Sequence, residues 1–344
     1  MKRPLLEVVL QEDLSGSVPH ILDQHGNEIP CRETELRILR MAEGLRRLPD
    51  TRFMTPDVPA AALRSMLKQV HHAEYLDFLE GLSNGLREHD TVMYHPFIPP
   101  GVDADTPIVA GIFDTALDAA GAAMDAALRV AAGARFSYAL CRPPGHHAGS
   151  AWLGGHCYIN NAVVALHTLR EAGFRRPGLI DFDFHFGNGT ADLLAHGTDT
   201  FFGSIHSSTI ISYPYGQTEE QHDRHLFIPF TDDPGHDRFL ESLAVLLEHA
   251  IRTDPEVLVI SVGYDIIAGD PFGKWDLRIE ILEEIGAMLA AAGIPLCLVQ
   301  EGGYRPEHLD ECAYRLGLGL LGAASRNATT ERLAATGEEL GVEP

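Results

Sequence analysis

Positive charge is scarce in this chain. Its 344 residues hold 26 Lys plus Arg against 49 Asp plus Glu, a formal net charge of −23. A surface this acidic repels phosphate backbones, which argues against nucleic-acid binding and suits cationic partners such as amines. Cysteine is sparse too. Cys31, Cys141, Cys157, Cys297 and Cys312 are odd in number and form no C-x-x-C pair. That pattern excludes a disulfide framework and fits reduced thiols. No run approaches the roughly 20 apolar residues of a membrane span. The first apolar run breaks at Gln11, too soon for a signal sequence. The expectation is a cytoplasmic chain that engages neither membrane nor nucleic acid.

What is present is an alternation. With 45% apolar residues the chain can build one large α/β domain. PLLEVVL, FSYALC, PGLIDFDF, FFGSIH, EVLVISVGYD and IPLCLVQEGGY read as buried strands. Between the later ones lie INNAVVALHTLREAG, GTADLLAHG, DRFLESLAVLLEHAIRT and RIEILEEIGAMLAAAG, with helical spacing. Strands apolar on both faces, alternating with helices, predict a parallel sheet covered on both sides. No linker or repeat divides the chain, so a single domain over 1–344 is expected, with a polar tail from about 325. The Pro/Gly-rich stretch 91–111 reads as a long surface loop.

Polar residues gather where strands end, the usual place for sites in open α/β sheets. In LIDFDFHFGNGT, Asp181, Asp183 and His185 alternate with Phe182, Phe184 and Phe186. As a strand this puts three polar groups on one face and three rings on the other. Converging carboxylates cost free energy unless a cation sits among them. Asp265, in SVGYDIIAGDP, completes an Asp-His-Asp set that leaves open positions for water and a substrate oxygen, as catalytic zinc requires. CRPPGHHAG sets His146 and His147 in a rigid turn, as a metal pair or an acid/base pair. Asn188 reads as a turn residue able to hydrogen-bond an imidazole. Tyr304, after Gly-Gly, is either packing or a donor to a developing oxyanion.

In order, RPPGHHA, DFDFHFGNGT, SVGYDIIAGDP and EGGY resemble the zinc-dependent histone deacetylase family, over roughly Leu5 to Leu320. FSYALCRPPGHHAG, GGHCYINNAVVA and GNEIPCRETELRIL, with Glu33 and Arg37, look most like its bacterial acetylpolyamine amidohydrolase branch. The resemblance implies a single arginase-like α/β domain with a parallel sheet of about eight strands. It implies that Asp183, His185 and Asp265 bind zinc, for which iron(II) can substitute. His146 would pair with Asp181 and act electrostatically. His147 would pair with Asn188 and serve as general base, then general acid. Tyr304 would polarise the amide carbonyl, and the Gly155 carbonyl would accept the substrate N–H. A potassium ion is implied near Asp181, Asp183, the main chain of His185 and Ser204.

Departures from the family concern the tunnel. His156 stands in GHC where an aromatic residue is usual, Tyr213 falls near the other wall, and Phe272 falls on the rim. Phe186 replaces a histidine outside the ligand set. The expected activity is removal of an acetyl or other acyl group from a small amine, polyamine-like or a related metabolite. A protein acetyl-lysine deacetylase is the alternative within enzymes. A non-hydrolytic amine- or acyl-binding protein is the alternative of another class. The stretch Thr91–Pro107 is short for the branch's dimer-forming insertion, which leaves a homodimer open.

Overall fold

The computed structural model describes residues 5–14, 18, 20–22, 27–88, 90–92, 106–195, 199–217 and 224–339, with side chains to residue 324. In chain order the elements begin with β1 (Leu6–Leu10), β2 (His20–Leu22), β3 (Glu28–Pro30), α1 (Glu35–Arg46) and β4 (Thr51–Met54). Next come α2 (Ala60–Val70), α3 (Ala73–Gly85), β5 (Thr91–Val92), β6 (Ile108–Val109), α4 (Ile112–Ala131), β7 (Phe136–Leu140) and α5 (Asn161–Glu171). Then follow β8 (Pro177–Asp181), α6 (Asn188–Leu194), β9 (Phe202–Ser207), β10 (His225–Phe230) and α7 (Gly235–Arg252). The chain closes with β11 (Val257–Val262), α8 (Ile281–Ala291), β12 (Leu296–Gln300) and α9 (Pro306–Glu339).

Eight strands form one parallel sheet in the order β10, β9, β8, β11, β12, β7, β1, β4. The expected α/β architecture is therefore present. Strands β7, β8, β11 and β12 are buried along their whole length. Alternate residues feed opposite layers. Leu258, Ile260, Leu296 and Leu298 pack with Leu45, Leu243, Ile285 and Leu316 of α1, α7, α8 and α9. Val257, Val259, Cys297 and Val299 pack with Ala119, Ala123, Ala126 and Ala165 of α4 and α5. Small side chains on α4 let that helix lie close to the sheet. Among the described residues no helix is long and apolar enough to cross a membrane.

Four sequence readings need correction. First, β8 stops at Asp181, so Asp183 and His185 lie beyond the strand. The three rings do not share one face either: Phe182 and Phe184 join one core layer, Phe186 the other. Second, β11 ends at Val262, three residues before Asp265. Third, β4 and β10 went unread because they are the sheet's edges, partly exposed, and β10 contains Pro229, tolerated only at an edge. Fourth, the stretch 91–111 is not all loop. Its ends pair as β5 and β6, with Ile108 and Val109 buried, while 93–105 lies outside the described residues.

Helices α8 and α9 touch backbone to backbone through glycines. A Cβ on Gly319 would lie 2.0 Å from the Glu283 carbonyl oxygen, and one on Gly286 2.3 Å from that of Leu316. Neither contact can be relieved by a rotamer change. Gly319→Ala is expected to lower the unfolding free energy by about 1–3 kcal/mol in urea titration. A variant as stable as the parent would contradict this packing.

Candidate active site

Strands β8, β11, β12 and β7 are neighbours in the sheet, so their carboxyl ends open side by side. Each is followed by a segment that carries chemistry. After β7 comes the turn with His146 and His147. Asn160 holds it from outside: its side chain caps α5 by accepting from the Val163 N–H at 3.0 Å and donates to the Ala148 carbonyl at 3.1 Å. From inside, the Glu301 carboxylate accepts from the backbone N–H groups of Gly145 (2.6 Å) and His146 (3.1 Å).

After β8 the backbone folds its own N–H groups onto carboxylates. Asp183 N donates to Asp181 Oδ1 and His185 N to Asp183 Oδ1, each at 2.9 Å, and Phe184 N donates to Asp265 Oδ1 at 3.1 Å. This explains why the strand stops: the amides that would extend the ladder are spent on side chains. The ligand atoms of Asp183, His185 and Asp265 all lie within 4.8 Å of one another. The His185 Nδ1 is 3.3 Å from Asp183 Oδ1 and 3.1 Å from Asp265 Oδ2.

The segment after β12 seals this cluster. Gly302 N donates to Asp183 Oδ2 at 2.8 Å. A Cβ on Gly302 would lie 2.4 Å from Asp265 Oδ2 and 2.5 Å from Asp183 Oδ2, so only glycine lets the backbone press on both carboxylates. Tyr304 N donates to Asp270 Oδ2 at 2.6 Å, and Arg37 lies over the Tyr304 ring, 4.5 Å from its centroid. Arg37 also donates to the carbonyls of Gly303 (2.6 Å) and Glu301 (2.5 Å) and to Glu33 Oε1 (2.8 Å). Arg142 clamps the same Glu33 through Nη2 at 2.7 Å and Nε at 3.1 Å.

Electrostatics follow from burial and charge. Burial raises Asp265, and the charge of Asp183 adds to it, bringing its pKa to about 7 against the pull of His185. Burial opposes ionisation of Asp183 as well, but His146 and His185 hold it well below the ordinary carboxylate range. His146, 3.0 Å from Asp181 Oδ2, would be pushed down by burial; Asp183 and Asp181 instead hold it up at about 10. His147, 2.7 Å from Asn188 Oδ1, is driven well below the usual imidazole value by burial and by the neighbouring His146 and His185. Adjacent histidines are thus pushed in opposite directions. Two buried carboxylates and one imidazole converging on a point, one carboxylate pushed toward neutrality, are the donor chemistry of a divalent-cation site.

A cavity of about 100 Å³ opens onto the cluster. It is lined by His146, His147, His185 and Tyr304 together with Gly155, His156, Tyr213, Phe272 and Ile21 of β2. Every sequence-predicted substrate contact therefore lines one space. Asp181 and Ser204 are register partners across β8 and β9, and the Ser204 hydroxyl lies 2.8 Å from His206 Nδ1. The Gly155 carbonyl is contacted by the Cys157 thiol at 3.4 Å.

A histone deacetylase domain model matches residues 31–318. The chain belongs to the histone deacetylase family. It is 31% identical to acetylpolyamine amidohydrolase 1 of Pseudomonas aeruginosa over 296 residues, covering 76% of this chain and 84% of that one. It is 34% identical to acetylpolyamine amidohydrolase of Mycoplana ramosa over 278 residues, covering 72% and 81%. Among solved structures, acetylpolyamine aminohydrolase from Burkholderia pseudomallei superposes with a TM-score of 0.83 at 26% identity, covering 93% of this chain and 99% of that one. Membership makes this chain one of a hydrolase family of deacetylases, and both curated relatives are named as acetylpolyamine amidohydrolases.

Sequence reading missed Glu301, Asp270, Arg142 and Ile21. Glu301 was visible as a lone acid between an apolar strand and Gly-Gly, a position that calls for buried donors. Arg142 sits inside the quoted CRPPGHHAG, but its partner is 109 residues away in sequence.

The Glu33 ion cluster makes a pH-dependent contribution. Burial works against the charged carboxylate, but Arg142 and Arg37 outweigh it and hold Glu33 at about 2, below its ordinary 4.5. A depressed carboxyl stabilises the fold above its unfolded pKa and loses that contribution as pH falls through the folded one. Glu33→Gln strands two buried guanidinium groups and is expected to cost about 3–5 kcal/mol at neutral pH. The gap from the parent should narrow as pH falls from about 4.5 toward about 2. A gap independent of pH in urea titrations would contradict the ion cluster.

Proposed function

We propose that this site hydrolyses the amide of a small N-acylated amine, an acetyl group being the first acyl group to test. The observation that carries the reading is the convergence of Asp183, His185 and Asp265 beside His146, His147 and Tyr304, at the ends of four adjacent strands. Those three residues would hold a divalent cation, zinc or iron(II), which when bound supplies Lewis-acid polarisation of the amide carbonyl and makes water a usable nucleophile near neutral pH.

The chain's own groups divide the remaining work. His147 is uncharged, and its Nδ1 is engaged by Asn188 Oδ1, so Nδ1 carries the hydrogen and Nε2 the lone pair. Nε2 takes a proton from water as the carbonyl carbon is attacked and returns it to the departing amine nitrogen. His146, charged and tied to Asp181, stabilises negative charge developing on the carbonyl oxygen. Tyr304 stays protonated, because burial lifts its phenol well above the ordinary value. Its O–H therefore donates to the same oxygen, and the Arg37 and Asp270 contacts hold the ring in place. The Gly155 carbonyl would accept the substrate N–H. A monovalent cation, potassium, is proposed between Asp181, Asp183, the main chain of His185 and Ser204, where the β8 and β9 ends face each other. A small-molecule amine fits the cavity's narrow volume and the acidic surface.

The test is amine release by the zinc-loaded protein from acetylputrescine, acetylspermidine, acetylcadaverine and an acetyl-lysine peptide. Small amides are expected to turn over faster than the peptide. Tyr304→Phe should lower kcat by on the order of 10²–10³ while leaving metal content unchanged. Unchanged turnover in that variant would remove Tyr304 from the mechanism, and a preference for the peptide would favour the protein-deacetylase reading.

A further inference from the structure

The cavity is lined by a polar side chain, His156, that the reaction does not use. His156 has φ +66, and Gly155 before it φ +53, so two successive residues are left-handed. Left-handed backbone is uncommon for any side-chain-bearing residue and persists where surroundings enforce it. Here the enforcement is visible: the His156 N–H donates to Thr106 Oγ1 at 2.9 Å. The turn delivers the imidazole to the cavity, with its ring centroid 5.8 Å from those of Phe272 and Tyr304.

Among the described residues, His156 hydrogen-bonds through its backbone N–H alone, and neither ring nitrogen has a protein partner. Burial pushes the imidazole down to about 4, with Arg37 and His185 adding to the effect and Glu33 opposing it. The ring is therefore neutral, with one donor and one acceptor nitrogen. Around it stand Ile21, Tyr213 and Phe272, and no carboxylate lines the cavity among the described residues. A polar ring without a protein partner gains most from a ligand that carries its own polar atom.

We propose that His156 is a specificity-determining residue that hydrogen-bonds a heteroatom on the amine half of the substrate, selecting amines with an O–H or N–H along the stem over purely aliphatic ones. This rests on the reading of the site as an amide hydrolase. The position follows from the ring spacing. The His156 ring stands beside the Tyr304 ring, 5.8 Å between centroids, so it meets the stem within a few bonds of the amide that Tyr304 addresses. An alcohol or an amine at that place presents the same chemistry to a neutral imidazole, which can donate to the first and accept from either.

Three amides of equal length separate the possibilities: N-acetylpentylamine, N-acetyl-4-aminobutanol and N-acetylputrescine, which end in methyl, hydroxyl and ammonium. The zinc-loaded parent is expected to favour at least one heteroatom-bearing amide over the pentyl amide by about tenfold in kcat/KM, the size of one hydrogen bond. Whichever terminus it favours names the source as an amino alcohol or a polyamine. In His156→Phe that preference should fall to near unity, with the loss in KM rather than kcat. Phenylalanine tolerates left-handed backbone poorly, so His156→Asn, which accepts that conformation but draws its polar group back, is measured alongside and should lose the preference too. A preference that survives in both variants, or a parent that favours the pentyl amide, overturns the proposal. A parent that hydrolyses none of the three, nor any other acyl amide, overturns the hydrolase reading and this proposal with it.

Discussion

The structure depends on placing several carboxylates in its interior at a single point. Asp181, Asp183, Asp265 and Glu301 are all fully buried at the carboxyl ends of β8, β11 and β12. Burial pushes Asp265 and Glu301 each up to about 7. Such a cluster is tolerable only if donors and cations surround it. The chain supplies many of these itself, through backbone N–H groups, the His146 imidazole held by Asp181, and the Gly302 backbone pressed against two carboxylates. The divalent cation proposed among Asp183, His185 and Asp265 would complete the set.

That constraint explains features otherwise unrelated. The backbone leaves the sheet at Asp181 because its next amides are needed by carboxylates. The Glu33, Arg37 and Arg142 cluster lies one layer further out and fixes the carbonyls of Glu301 and Gly303, hence the approach of Tyr304. Glu301 in turn grips the turn that carries the two histidines. The groups of the candidate site, from four strand ends, are thus held by one continuous buried polar network. Networks of this kind are rigid when fully satisfied, which is what preorganised catalysis requires.

Much of this was legible from the residues alone. Asp183, His185 and Asp265 stood out because carboxylates inside apolar strands need a reason, and the central strands stood out because they are apolar on both faces. The edges β4 and β10 did not, since half-exposed strands carry weaker patterns, and one holds a proline. The alternation of Asp and Phe after Leu179 suggested one strand with two faces. In fact the chain turns out of the sheet there and sends Phe186 to a different layer from Phe182 and Phe184. Arg142 and Asp270 were silent because their partners are distant backbone or side-chain groups, which local spacing cannot reveal. The strained turn at His156 was equally invisible, since a histidine gives no sign of its φ.

The most direct measurement is the divalent-metal content of the purified chain, taken with its thermal midpoint before and after chelation. A cation that neutralises the buried carboxylates binds the folded state alone and must stabilise it by mass action. The expected result is one tightly held divalent ion per chain, a fall in midpoint when it is removed, and loss of both the ion and the shift in Asp265→Ala. A chain that holds no divalent ion and whose midpoint ignores chelation and added zinc would contradict the central claim.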